Sequence, residues 1–134
     1  MAQKRTSTER SSVPLVTFSV DATAAGATLA FGRLADFATH HDVEPAVRER
    51  ATAVTADVVS ALAGAFSGPA RLQIEADIGE QDLQLVVAHA GEDARLAFTA
   101  VRARLERIGS RCDEFAAEHS GDAGIEVWCR FIVR

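Results

Sequence analysis

Tyrosine is absent from this chain of 134 residues, tryptophan occurs once, and cysteine and proline occur only two and three times. Two cysteines, Cys112 and Cys129, cannot make the disulfide framework on which small secreted domains rely. With seven Phe and one Trp as its aromatic complement, the core must be closely packed from small aliphatic side chains, Ala foremost. An excess of positive charge is also missing. The formal net charge of −5 argues against generic nucleic-acid binding, which depends on Lys and Arg neutralising phosphates. The clustered Arg102, Arg104, Arg107 and Arg111 read as a solvated helix face. No apolar run reaches the length of a membrane span, and MAQKRTSTERSS contains no apolar segment of the signal-peptide kind. A cytoplasmic protein without membrane or nucleic-acid partners is therefore expected.

What is present is the ordinary composition of one globular domain, 48% hydrophobic and 25% charged. Residues 1–12 are polar and read as a disordered tail, leaving 13–134 as the domain. Val16, Phe18 and Val20 alternate with Thr17 and Ser19 as in a half-buried strand. Asp21 is placed to cap a helix whose stripe is Ala27, Ala30, Phe31, Leu34, Phe37 and Ala38, ending near His40-His41-Asp42. Pro45 suits the first turn of a second helix, and Val47, Ala51, Val54, Val58, Leu62 and Ala65 hold one face of it. Ser67-Gly68-Pro69 stops that helix. Leu72, Ile74 and Ala76, a turn at 79–82, then Leu83, Leu85 and Val87 make a hairpin. A third helix carries Leu96, Ala100, Val101, Arg104, Leu105 and Ile108. Strands at Phe115–Ala117 and Ile125–Val133 follow, separated by a turn at 120–124. The order β-α-α-β-β-α-β-β predicts an α+β two-layer sandwich, with a mixed, largely antiparallel sheet and helices on one face.

That order and three local patterns resemble the GHKL, or histidine-kinase-like, ATPase superfamily, and within it the anti-sigma-factor serine kinase branch. The resemblance spans residues 14–133. It implies an ATPase domain of the histidine-kinase type, whose second helix carries a Glu as general base and, four residues on, an Asn that holds Mg²⁺. Here Ala56 and Ser60 fall at those positions in Val54-Thr55-Ala56-Asp57-Val58-Val59-Ser60-Ala61-Leu62. Alanine cannot accept a proton, a lone hydroxyl is a weak ligand for a hard cation, and Asp57 sits about 100° round the helix. The family's Asp-x-Gly-x-Gly, which receives adenine, is matched by His89-Ala90-Gly91-Glu92-Asp93, with one glycine retained. The glycine-rich lid that cradles phosphates is matched by Ala94-Arg95-Leu96-Ala97-Phe98-Thr99-Ala100-Val101-Arg102, which contains no glycine. The resemblance therefore implies no catalytic residue, and a remnant nucleotide pocket at Asp57, Ser60, His89, Gly91 and Asp93. No metal and no cofactor are expected; Mg²⁺ with ATP is the alternative.

Other sites are few. His40, His41 and Asp42 read as a capped, solvated helix end, and His119 as a surface residue at a strand end. Strand parity sets Cys112 and Cys129 on opposite faces of the sheet, which predicts separate, reduced thiols. On the last strand, Ile125, Val127, Cys129, Phe131 and Val133 face the helices. Trp128, Arg130 and Ile132 then face the other way beside Val86 and would be exposed, an interface patch suited to a homodimer. The expected function is a regulatory protein-binding module of anti-sigma-factor type, with a sigma factor or an antagonist protein as partner. The alternatives are a divergent ATP-binding serine/threonine protein kinase that uses Ser60 or Asp57 with Mg²⁺, and a structural homodimer module.

Overall fold

Alternating apolar and polar residues become strands and the three- and four-residue stripes become helices in the computed structural model, which describes residues 13–89, 94–120 and 124–134. The elements are β1 (Leu15–Asp21), α1 (Ala24–His40), α2 (Pro45–Ala63), β2 (Arg71–Ile78), β3 (Asp82–His89), α3 (Phe98–Gly109), β4 (Glu114–Ser120) and β5 (Gly124–Ile132). The expected tail at 1–12 lies outside the described residues. Among the described residues no helix is long and apolar enough to cross a membrane.

The strands form one sheet in the order β1-β2-β3-β5-β4. Every neighbouring pair is antiparallel, so the parallel pairing implied by a mixed sheet does not occur among the described strands. The connections explain this. Two consecutive helices, α1 and α2, return the chain to the end of the sheet where β1 finished, so β2 runs back along β1. The single helix α3 sends β4 in the same direction as β3, and β5 fills the gap between them, antiparallel to both.

Leu72, Ile74, Leu83, Leu85, Val87, Val127, Cys129 and Phe131 point from the sheet toward the helices and form one core with them. From α2, the expected residues Val47, Ala51, Val54, Val58 and Leu62 are all buried, and Val59 and Ala61 join them. Thr52 and Thr55 are buried on the same helix, their hydroxyls donating to the Arg48 and Ala51 carbonyls at 2.9 and 2.7 Å. Helix α1 contributes Ala27, Ala30, Leu34 and Ala38, but Phe31, expected in the stripe, is 44% exposed. Small residues at 27, 30 and 38 allow α1 to lie close to α2, and Phe31 stays outside that contact.

Two local expectations are corrected. Asp21 does not cap α1: it is still in β1, opposite Arg71, to which it is ion-paired at 2.9 Å. Thr23, in extended conformation, is the cap, its Oγ1 accepting from the Gly26 N–H at 2.9 Å. Leu96 precedes α3 and bridges to Phe66.

A second tie joins α2 to the end of the sheet. The Asp113 carboxylate accepts from the Ile132 N–H at 2.7 Å, meets Arg50 of α2 at 3.3 Å, and contacts Arg134. Arg50 also lies over the Phe131 ring, 5.7 Å from its centroid. Burial alone would raise the Asp113 pKa, but the Ile132 N–H, Arg134 and Arg50 outweigh it and hold the carboxyl below its ordinary value. A depressed folded-state pKa stabilises the fold above the unfolded value and loses that contribution as pH falls through the folded one. Asp113→Asn is therefore expected to destabilise the domain by about 1–2 kcal/mol at pH 7. The gap to wild type should close in acid below pH ~3.9, as thermal melts across that range would read.

Two glycines of α1 make a paired prediction. A Cβ on Gly26 would stand 1.7 Å from the Asp21 carbonyl oxygen, a backbone atom that cannot swing aside, whereas one on Gly32 would meet nothing within 4 Å. Gly26→Ala is expected to cost about 1–3 kcal/mol or more through overpacking. Gly32→Ala is expected to stabilise by about 0.5–1 kcal/mol through helix propensity. Urea unfolding of the two variants should shift in opposite directions.

Candidate functional site

The helix face that carries Ala56 and Ser60 is half-buried, and Ala56 packs against the core. One position round the helix, Asp57 is 47% exposed and its carboxylate meets the Arg111 guanidinium at 2.5 Å. Arg111 lies just beyond α3, so this pair ties the end of α3 to the middle of α2. A shifted register that turned Asp57 toward a nucleotide would have to break it. Within the arginine cluster, Arg102 is paired with Glu106 on its own helix at 3.1 Å, so the cluster is partly neutralised inside the chain.

The segment 94–97 is stitched to the link after α2. Ser67 N–H donates to the Arg95 carbonyl and Ala97 N–H to the Ala65 carbonyl, both at 2.8 Å, and the Ser67 hydroxyl accepts from the Arg95 N–H at 3.0 Å. Beside this stitch lies an open cavity of ≈ 540 Å³ whose walls include Ser67, Arg95, Leu96, Phe98, Thr99 and His119. Ala56, Asp57, Ser60 and His89 do not line it. His89 ends β3 on the helix-facing side, buried, with its ring edge-on to Phe66 at 4.6 Å. Gly91, Glu92 and Asp93 lie outside the described residues. His119 is exposed, as expected at a strand end, and stacks on Phe98 with ring centroids 4.8 Å apart. The structure thus brings Asp57 to Arg111 and His89 to Phe66.

At the other end of α1, His41 caps the helix and its ring meets those of Phe37 and His40, each at 4.9 Å. Asp42 follows in the left-handed region, φ 56°, which a short polar side chain tolerates.

The sheet face away from the helices corrects the expected patch. Trp128 is 3% exposed, and Val86, Arg130 and Ile132 are half-buried. Trp128 lies between its cross-strand neighbours Val86 on β3 and Ala116 on β4, and its indole N–H donates to Gln84 Oε1 at 3.1 Å. Gln84 Nε2 in turn donates to Asp82 at 3.4 Å, and Arg130 bridges Asp82 and Glu114 at 2.6 and 2.5 Å. A polar chain, Glu114–Arg130–Asp82–Gln84–Trp128, therefore crosses three strands. Facing was correctly expected for these residues; exposure was not, because the register of β3 on β5 supplies the indole with flanking side chains and a partner.

The two cysteines are corrected as well. Strand parity does not govern Cys112, which lies in the turn after α3, before β4 begins at Glu114. From that turn it packs against the core cluster that contains the fully buried Cys129, and its thiol donates to the Ile108 carbonyl at 3.8 Å. Both are free thiols.

No protein-family profile and no curated protein matches this sequence. Its fold is similar to a crystal structure of the RsbU and RsbW domains of Rv1364c from Mycobacterium tuberculosis, with a TM-score of 0.65 and 12% identity over 90% of this chain. The match covers 33% of that longer chain, so this sequence spans about a third of its length. The fold is accordingly an α+β two-layer sandwich similar to that structure, with an antiparallel sheet of five described strands and three described helices.

The buried indole makes a direct prediction. Trp128→Glu sets a carboxylate between Val86 and Ala116 and removes the donor to Gln84, and should cost about 3–5 kcal/mol. Trp128→Phe keeps most of the apolar contact and should cost about 1–2 kcal/mol. Urea unfolding followed by circular dichroism checks both values. A Trp128→Glu variant as stable as wild type would contradict the assigned burial.

Proposed function

We propose that this chain is a regulatory protein-binding module of anti-sigma-factor type that does not turn over ATP. The observation that carries the reading is a GHKL-like sandwich, matched over 90% of the chain, in which the base position of the resembled family is Ala56. A methyl group neither accepts a proton nor orients water, and the adjacent carboxylate, Asp57, is engaged by Arg111. The stitch of 94–97 onto 65–67 adds support, since it ties down backbone N–H groups at 95 and 97 that a lid would turn toward phosphates. The similar fold of a chain containing an RsbW domain favours the anti-sigma-factor branch over other users of this sandwich. A sigma factor or an antagonist protein is the corresponding partner.

On this reading the module acts by presenting a surface. Leu29 and Phe31, 61% and 44% exposed on α1, are large apolar side chains available to a partner. Isothermal titration with Mg·ATP and Mg·ADP at millimolar concentration is expected to give no binding heat, and the melting temperature should not move. A ligand present at a hundred times its Kd would stabilise the native state by ~2.7 kcal/mol. Binding to a sigma factor or an antagonist should occur in nucleotide-free buffer. A nucleotide-dependent rise in melting temperature that Asp57→Ala abolishes would overturn this reading and favour the kinase.

A further inference from the structure

We propose that residues 1–12 dock across the outer face of the sheet as a basic strap, held by carboxylates of β2, β3 and β5. The three described helices pack on the opposite face, yet a band of this one is withdrawn from solvent within the single chain. Asp77, Asp82 and Gln84 are 5%, 7% and 5% exposed and Trp128 is 3% exposed, whereas Ser19, Gln73 and Glu118 on the same face are exposed. Side chains stand roughly perpendicular to a sheet, so neighbours on the strands shield the flanks of an indole or a carboxylate. Closing its outer end as well takes atoms laid over the face. The cover is local, and it comes from the chain itself.

The place where the segment joins the sheet picks it out. The chain enters β1 at Leu15, opposite Asp77, and the Pro14 carbonyl accepts from the Ile78 N–H at 3.0 Å. Gln84 is the cross-strand neighbour of Asp77 on β3, and Asp82 lies at the same end, opposite Ile132. The other breaks in the described chain, after His89 and between Ser120 and Gly124, fall at the far end of the sheet. Five strands at ~4.8 Å spacing span ~19 Å, whereas twelve extended residues reach ~40 Å. The segment is long enough to cross the whole face.

Charge selects the same occupant. Residues 1–12 carry Lys4, Arg5 and Arg10 against a single carboxylate, Glu9. The outer face carries Glu75 and Asp77 on β2, Asp82 on β3 and Glu126 on β5. Carboxylates taken out of water need cations or hydrogen bonds beside them, and the strap brings three cations to this face. A second copy docked here would instead set like charges against one another. With the strap in place the sheet is closed to a macromolecular partner, and the exposed Leu29 and Phe31 lie in the opposite layer, on α1.

Trp128 is the sole tryptophan and Lys4 the sole lysine, so each is a specific probe. Fluorescence emission and acrylamide quenching of Trp128 are compared in three proteins: the full chain, the chain without residues 1–12, and the full-length Lys4→Glu, Arg5→Glu, Arg10→Glu triple variant. The full chain is expected to emit as a buried indole and to resist quenching. Both variants should emit at longer wavelength and be quenched several-fold more, with native far-ultraviolet circular dichroism. Unchanged quenching in either folded variant would overturn the proposal. Shielding of Trp128 that develops only as the concentration of the full chain rises would assign the cover to a second copy, and overturns it too. Where a variant does not fold, zero-length carbodiimide coupling of the wild type decides. A link within one molecule from Lys4 to Glu75, Asp77, Asp82 or Glu126 is expected; no link, or links only between molecules or to carboxylates of the helices, overturns the strap.

Discussion

Burial of α2 along its whole length is the constraint on which the other elements depend. Its apolar face is met by α1 on one flank and α3 on another, and by β3 and β5 beneath. Each fully buried Val or Leu contributes about 1.5–3 kcal/mol, so Val54, Val58, Val59 and Leu62 together outweigh any exposed ion pair in the molecule. A helix so enclosed tolerates few polar groups. The two that it carries inward, Thr52 and Thr55, satisfy their hydroxyls on its own carbonyls. Segments on either side of α2 in the sequence are then positioned against it, α1 through small side chains and Asp113 through Arg50.

Local periodicity made most of this architecture legible. The α2 stripe, the hairpin at 72–87 and the alternation of β5 depend on neighbours a few residues apart, and each was readable because one face is buried along the whole element. Contacts between distant segments were not. Asp21 has the chemistry of a cap, but only the pairing of β1 with β2 reveals that it is still in a strand opposite Arg71. Trp128 was assigned to its correct face, yet its burial depends on β5 lying beside β3 as well as β4, and no hairpin announces the β3–β5 register. A polar signal was present in Asp82 and Gln84, two successive outward positions of β3 that could serve an arginine and an indole. Strand parity fails at Cys112 because that residue lies in the turn before β4.

The remnant site was legible as chemistry more than as place. That Ala56 cannot accept a proton needed only its identity, whereas the engagement of Asp57 by Arg111 required the end of α3 to be known in space. The same is true of the link between 65–67 and 94–97, two segments that are far apart in sequence and stitched by backbone groups carrying no side-chain signature.

Charge in this domain is spent chiefly on joining elements. Asp57 with Arg111 joins α2 to the end of α3, Arg50 with Asp113 joins α2 to the turn before β4, and Arg130 joins β5 to both of its neighbours through Asp82 and Glu114. These groups are already satisfied, so a ligand that recruited one of them would have to offset a lost internal contact. The half-buried methyl of Ala56 adds to the same balance: a carboxylate there would need water or a cation to compensate its desolvation against the core. The packing that makes α2 the organising element therefore also sets what a polar group on its half-buried face would have to offset.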